Sequence, residues 1–288
     1  MIFISVISIV LVYLYLYIKH KDVIRFIPIS HRGIINLYKI VNSNKNEVSL
    51  IKLYFNIISM FFLIIAMTYL LKVNWIFTLD IIIISILLMP LILIWRLNDL
   101  KEKFKFDNLV IYLNQFIITF KSYPKIFTTL SEIENTISGD LKVLVNNSIE
   151  EIKSGENSYT SLEKINQKYP HFIVFNLHSL AYSIESYGSV EFFEALDLIQ
   201  DDLDDWIEDT AQYDYEKKRI ITKVTILIGF AFVICLLALN MLFSVDPSIK
   251  NGLYQISMFI FCLIQIFTYV IANAIYNKKW IEKSEVIC

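Results

Sequence analysis

Five long apolar runs constrain the fold of this chain more than any other feature. A bilayer core of about 30 Å needs roughly 20 apolar residues per helix; four runs come close to this length, and the first is at its lower limit. The runs are Ile2–Ile18, Tyr54–Leu71, Trp75–Trp95, Ile220–Val245 and Leu253–Tyr276. Across 288 residues, 56% are apolar and 19% are charged, which is more apolar and less charged than a soluble domain of this size. The sequence therefore predicts an all-α membrane protein of about five transmembrane helices.

The positions of lysine and arginine predict the orientation of these helices. Basic residues are dense in the segment that follows the first run, whereas the loops at 72–74 and 244–252 carry one lysine each. Since basic loops stay in the cytoplasm, the N-terminus is predicted outside the cell membrane and the C-terminus inside. The predicted segments are a transmembrane helix at 1–18, a basic cytoplasmic loop at 19–53, a transmembrane pair at 54–95, a cytoplasmic insert at 96–219, a second pair at 220–276 and a cytoplasmic tail at 277–288.

The insert at 96–219 follows helical periodicity, with turn signals between its apolar stripes. One stripe contains Leu109, Leu113, Phe116, Ile117 and Phe120. A later stripe is expected to contain Phe172, Phe175, Leu180, Ile184 and Tyr187, and the last to contain Phe192, Leu196, Ile199, Leu203 and Trp206. These patterns predict a bundle of five or six helices, inserted between the third and fourth spans, whose last helix continues into the span at Ile220.

The most unusual stretch of the insert is Glu191–Glu216, which contains eleven acidic residues and no lysine or arginine. Asp197, Asp201, Asp205 and Asp209 are spaced four residues apart, so a helix would place them in one row. Three interpretations follow from the residues: a solvated face, a docking face for a basic partner, or a divalent-metal site. Electrostatics makes the row our candidate partner-binding surface.

The metal interpretation rests on the pattern DDxxDxxxD that begins at Asp201. Carboxylates stacked over successive turns could hold Mg²⁺ against a diphosphate, as in the first acidic motif of intramembrane prenyltransferases. The sequence lacks a second acidic motif and basic residues beside the first. No P-loop, GxSxG or HExxH pattern is present either. We therefore expect no enzymatic activity, no catalytic residue, no cofactor and no metal, and keep a prenyltransferase as the alternative.

A small transporter is a further alternative. Polar residues within the spans are few and include Asp80, Asn240, Gln265 and Asn273. We expect helix-to-helix hydrogen bonds from the amides and a carboxylate that reaches the membrane interface. The net charge of −2 gives no basic surface for nucleic acid. Three cysteines without a CxxC pair give neither a disulfide framework nor a zinc site.

The order of helices and turns in the insert resembles the type II secretion system F domain. The matching elements are the loop at 120–124, the helix at 141–153 followed by Gly155, a short helix around Leu162, and the turn Glu185-x-x-Gly188, which precedes the acidic helix and a pair of spans. A single such domain between membrane helices is similar to the Tad-type pilus assembly proteins of the TadB and TadC kind. The resemblance covers about residues 96–276.

This resemblance implies a function without chemistry of its own. Its members are membrane platforms that couple a cytoplasmic assembly ATPase to the insertion of pilin-like subunits into a filament. The implied partners are that ATPase, the pilin-like subunits, the lipid bilayer, and a second platform homologue or another copy of the chain. In such a protein Gly155 and Gly188 would have a structural role, ending helices in conformations that a Cβ atom disfavours.

Overall fold

The computed structural model describes residues 2–19, 62, 64–188, 192–245 and 252–277. All regular structure within these residues is helical, and they contain no strand. The predicted all-α class is confirmed for this part of the chain. The predicted loop at 19–53 apart from Lys19, half of the predicted span Tyr54–Leu71, most of the loop at 244–252 and nearly all of the tail at 277–288 lie outside the described residues.

Eight labelled helices follow one another along the described chain. They are α1 (Ile2–Lys19), α2 (Trp75–Ser122), α3 (Ile126–Ile133), α4 (Gly139–Lys153), α5 (Ser158–Lys168), α6 (Phe172–Tyr187), α7 (Phe192–Val245) and α8 (Gly252–Asn273), and a 3₁₀ turn at Ala274–Asn277 ends the series. Residues 64–70 are also helical. The turn signals at 123–124, 154–157 and 169–170 lie between helices, whereas at 138–140 only Ser138 precedes α4 and Gly139 begins it.

Three described helices, α2, α7 and α8, are long and apolar enough to cross a membrane. The apolar stretch of α7 is largely exposed; Leu227 is 65% exposed, Phe230 is 62% exposed and Met241 is 73% exposed. A soluble protein rarely leaves so large an apolar surface in water, whereas a bilayer is a favourable surrounding for it. The chain is a membrane protein.

The chain divides into two compact units, which we call the membrane unit and the helical bundle. The membrane unit contains the described residues up to Leu100 and from Glu216 onward, and the helical bundle contains Lys101–Tyr215. The predicted third span ends at Trp95, and α2 continues beyond this residue to Ser122 without a break. The residues that follow Trp95 include leucines, lysines and glutamate and no glycine or proline, so nothing there ends the helix.

The core of the helical bundle includes the predicted stripe of α2, whose members are at most 1% exposed. The predicted stripe of α6 is wrong in part, because Phe172, Phe175 and Tyr187 are exposed. The buried face of α6 instead contains Ile173, Val174, Leu177, Ala181 and Ile184. Apolar residues surround most of this helix, and smaller side chains occupy the face that packs against other helices.

The membrane unit contains a carboxylate that sequence reasoning misplaced. Asp80 was expected to reach the membrane interface, but it is only 4% exposed. Its neighbours Phe77 and Ile81 are buried with it, and Phe77 stacks on Phe259 of α8 with a centroid distance of 4.8 Å. Asp80 therefore lies on the packed side of α2 and not on an exposed face.

Candidate partner-binding surface

The first half of α7 has one buried face and one acidic face. Leu196 and Leu203 are fully buried in the bundle core. We define the acidic ridge as Asp197, Asp201, Asp205 and Asp209. All four of these residues are exposed, as the spacing of four residues predicts.

Trp206 fixes the rotation of α7 about its axis. The indole stacks on the His171 ring at a centroid distance of 3.8 Å and an interplanar angle of 13°. The rings of Trp206 and Phe106 also pack edge to face, with a centroid distance of 4.9 Å and an interplanar angle of 85°. Because aromatic pairs of this kind add stability beyond the area they bury, they hold the opposite side of α7 toward solvent. The acidic ridge is therefore presented by a packed helix.

The acidic ridge has a counter-charge at one end only. Lys121 Nζ on α2 lies 2.5 Å from Asp197 Oδ1, in a pair whose aspartate side chain is 71% exposed. The stretch Glu191–Glu216 has no basic residue of its own, so this counter-charge comes from another helix. Among the described residues, no lysine or arginine pairs with Asp201, Asp205 or Asp209. The negative potential is thus concentrated on the last three members of the ridge.

The carboxylates of the DDxxDxxxD pattern do not converge. In the part of the chain that the structure describes, no three carboxylate, imidazole or thiol groups come together in an arrangement that could hold a metal ion. The ridge residues are exposed along one helix. This geometry gives no support to the diphosphate-binding alternative.

Glu185 joins the starts of two helices, a role that sequence reasoning missed. Its Oε1 accepts a hydrogen bond from the backbone N–H of Ile126 at 3.2 Å, and its Oε2 accepts one from Ser158 Oγ at 3.3 Å. The first N–H groups of a helix have no partner within it, so a carboxylate there also satisfies a backbone donor. This glutamate belongs to the Glu185-x-x-Gly188 turn that suggested the F domain.

The two glycines expected to form turns both have left-handed backbones. Gly155 follows α4 with φ of +94°, and Gly188 ends α6 with φ of +66° and a backbone N–H that donates to Ile184 O at 2.8 Å. A Cβ atom at either position would meet no atom within 4 Å. The preference for glycine there comes from backbone conformation and not from crowding.

His178 lies at the centre of a polar network in the bundle. It is fully buried, with Nε2 at 2.7 Å from Tyr112 Oη and Nδ1 at 2.6 Å from Asn166 Oδ1. Burial lowers the pKa of His178 to about 3 and raises the pKa of Tyr112. A neutral imidazole that accepts from Tyr112 and donates to Asn166 satisfies all three groups. These contacts give His178 a structural role in the bundle core.

Polar groups in the membrane unit also pair between helices. Arg96 Nη2 donates to Asn273 Oδ1 and to Tyr269 Oη, both at 3.2 Å. Gln255 on α8 accepts from the backbone N–H of Asn74 at 2.7 Å. These bonds agree with the helix-to-helix role predicted for Asn273.

Comparison with models of protein families, with curated proteins and with solved structures gives no match to this chain.

Proposed function

We propose that this chain is a non-enzymatic platform of the cell membrane, of the kind that couples a cytoplasmic assembly ATPase to the growth of a pilus-like filament. The proposal comprises five spans, an external N-terminus and a cytoplasmic bundle inserted between the third and fourth spans. The partners are the ATPase, pilin-like subunits, and a platform homologue or a second copy. The alternatives, a prenyltransferase and a small transporter, have no specific observation in their favour.

One observation carries the proposal. The acidic ridge lies on α7, and the same helix contains an apolar stretch long enough to cross a membrane. A partner held at the ridge would thus act on an element that continues without interruption into a membrane segment. Such an arrangement can transmit a movement of the bound partner to the membrane segment without any catalysis by the platform itself.

The charge of the acidic ridge also defines the partner surface. Exposed carboxylates steer a basic surface toward them and mainly raise the association rate. Their effect decreases with salt, because the Debye length falls from about 10 Å at 0.1 M to about 3 Å at 1 M. Asp201, Asp205 and Asp209 should contribute more than Asp197, whose charge is already paired with Lys121.

The test uses the full chain and a P-loop secretion ATPase from the same organism, which the proposal requires to exist. Replacing Asp197, Asp201, Asp205 and Asp209 by Asn should lower the association rate about tenfold at low salt and leave the helix content unchanged. The remaining binding should depend less on salt.

A matched control removes four acidic charges elsewhere on the bundle. Glu132, Asp140, Glu150 and Glu163 are also exposed, so replacing them by the corresponding amides changes the net charge equally. This control should bind the ATPase almost normally. An equal loss of association rate in both variants would show that the net charge of the bundle, and not the position of the ridge, determines binding. Normal binding by the ridge variant would remove the ridge from the proposal.

A further inference from the structure

The membrane unit contains a cavity of about 640 Å³. Helical residues 64–70, α2, α7 and α8 all contribute to its wall. Most of the lining is apolar, and it includes Leu88, Ile92, Phe232, Ile266 and Val270. The volume lies within the range of about 300–1,000 Å³ that is usual for small-molecule sites, so the cavity is large enough for an organic ligand.

The hydroxyl groups of the wall already have partners. Ser85 Oγ and Thr225 Oγ1 each donate a hydrogen bond to the backbone carbonyl four residues earlier in the same helix, at 2.7 and 2.8 Å. Tyr269 Oη accepts from Arg96 Nη2 at 3.2 Å. These hydroxyls are therefore satisfied within the chain.

The amide of Gln265 is different. Gln265 borders the cavity and has no hydrogen-bond partner among the described residues, although the sequence predicts a helix-to-helix hydrogen bond for it. It lies well inside α8, a candidate membrane span, with 13 residues before it to Gly252 and 8 after it to Asn273. An amide without a partner in apolar surroundings costs free energy, and a hydrogen bond to a molecule in the cavity would remove that cost.

The charge of the wall restricts the kind of ligand. Arg96 is the only charged side chain among the described residues that line the cavity. Its guanidinium donates to Tyr269 and Asn273 and takes part in a further interaction, so we assign no ligand contact to it. A cavity that offers an amide and no available charge favours an uncharged ligand.

We propose that this cavity binds an uncharged lipophilic molecule with one hydroxyl or carbonyl group, which forms a hydrogen bond with Gln265. Taking about 30 Å³ for a group the size of a water molecule, the cavity holds about 20 non-hydrogen atoms. Water alone is a poor occupant because apolar cavities stay dry. The Gln265 amide both donates and accepts, so it fits either a hydroxyl or a carbonyl group. The proposal does not depend on the platform function.

The experiment uses photoaffinity labelling of the full chain in detergent micelles. The probe is a long-chain fatty alcohol with a diazirine in the middle of its chain, and mass spectrometry of peptides identifies the labelled residues. Label is expected on wall residues such as Leu88 and Ile266. Hexadecanol should displace the probe at about one tenth of the mole fraction that hexadecane requires, because only the alcohol satisfies the amide.

A variant of Gln265 tests the hydrogen bond. Gln265→Leu keeps a side chain of similar size but has no polar group, so it should make hexadecanol and hexadecane equally effective competitors. Asn240→Leu removes an exposed amide of α7 that does not line the cavity, and it should preserve the tenfold difference.

A variant of Gly229 tests the location of the site. Gly229 lines the cavity on α7, and no atom lies within 4 Å of the position where its Cβ would be. Gly229→Leu should occupy space that the ligand needs and lower the labelling of wall residues about tenfold or more. Ala238→Leu adds a similar volume at an exposed position of α7 outside the cavity, and it should leave the labelling unchanged. Because Gly229→Leu keeps the amide, it remains informative if Gln265→Leu fails to fold.

Four outcomes would overturn the proposal. Equal competition by hexadecanol and hexadecane in the wild type would show that the ligand makes no hydrogen bond with Gln265. Unchanged labelling in Gly229→Leu would place the probe outside the cavity. Label confined to exposed residues of α7, such as Leu227, would show that the probe stays in the micelle. Displacement by phosphatidylcholine as effective as that by hexadecanol would assign the cavity to an acyl chain of a bilayer lipid.

Discussion

The buried His178 makes the stability of the helical bundle depend on pH. Its pKa is about 3 in the folded chain and about 6.5 when unfolded, so the unfolded state binds more protons between these values. The stabilisation that comes from the neutral His178 side chain is complete above about pH 6.5 and is lost as the pH falls toward 3. Each pH unit in this window changes the free energy of unfolding by up to about 1.4 kcal/mol, so lowering the pH from about 7.5 to 4.5 should cost 2–3 kcal/mol.

Hydrogen exchange of the α6 amides in the full chain measures this loss as a free energy of opening, once the intrinsic exchange rate at each pH is corrected. The variant His178→Gln keeps an acceptor for Tyr112 but cannot titrate. We expect it to be less stable than wild type near pH 7.5 and to have a smaller dependence on pH. Burial also lowers the pKa of His171 to about 4, and this residue contributes equally to the pH dependence of both proteins. Parallel curves for the two proteins would refute a buried neutral imidazole at position 178.

Three further predictions concern the membrane unit and the turns. Lys217 is buried in an ion pair with Asp99, so Lys217→Met should destabilise the chain by about 3–5 kcal/mol, and adding Asp99→Leu should restore much of the loss in thermal unfolding. In thermal unfolding, Gly188→Ala should lower the stability of the chain by about 1 kcal/mol, because the backbone φ at this position is positive. Gly229→Ala, at a helical position with open space around it, should not destabilise the chain. Cysteines introduced at Asn74 and Asn251 of a cysteine-free chain should react with an impermeant reagent in intact cells, and a cysteine at Asn157 should not; labelling at Asn157 would contradict the proposed topology.

Local sequence patterns predicted the helices and the exposure of the ridge well. Helical period and glycine or proline breakers act within a few residues, and this is why the turns at 123–124 and 154–157 lie where expected. The same reasoning did not say whether the span Trp75–Trp95 and the first helix of the insert form one element, as they do in α2. It also failed on α6, because a helix that is apolar on most sides does not show which side is buried.

Contacts between distant positions were outside the reach of sequence reasoning. Lys121 and Asp197 are 76 residues apart, and Arg96 and Asn273 are 177 apart. Both pairs form only because α2 packs against another helix, and no spacing along the chain records which residues then meet. Glu185 was noticed as part of the turn before Gly188, but its role could not be predicted because its two partners, Ile126 and Ser158, come from different helices.

The two longest helices should differ in how freely their residues can be exchanged. In the apolar stretch of α2, 61% of the residues are buried, compared with 6% in that of α7. Lipid tails adapt to many shapes, so exchanges among Leu, Ile, Val and Phe on α7 should be nearly silent in a saturation mutagenesis screen. Ile84 and Leu91 of α2 are fully buried, and there a change of one methylene alters packing. Mutational intolerance should therefore be concentrated along α2.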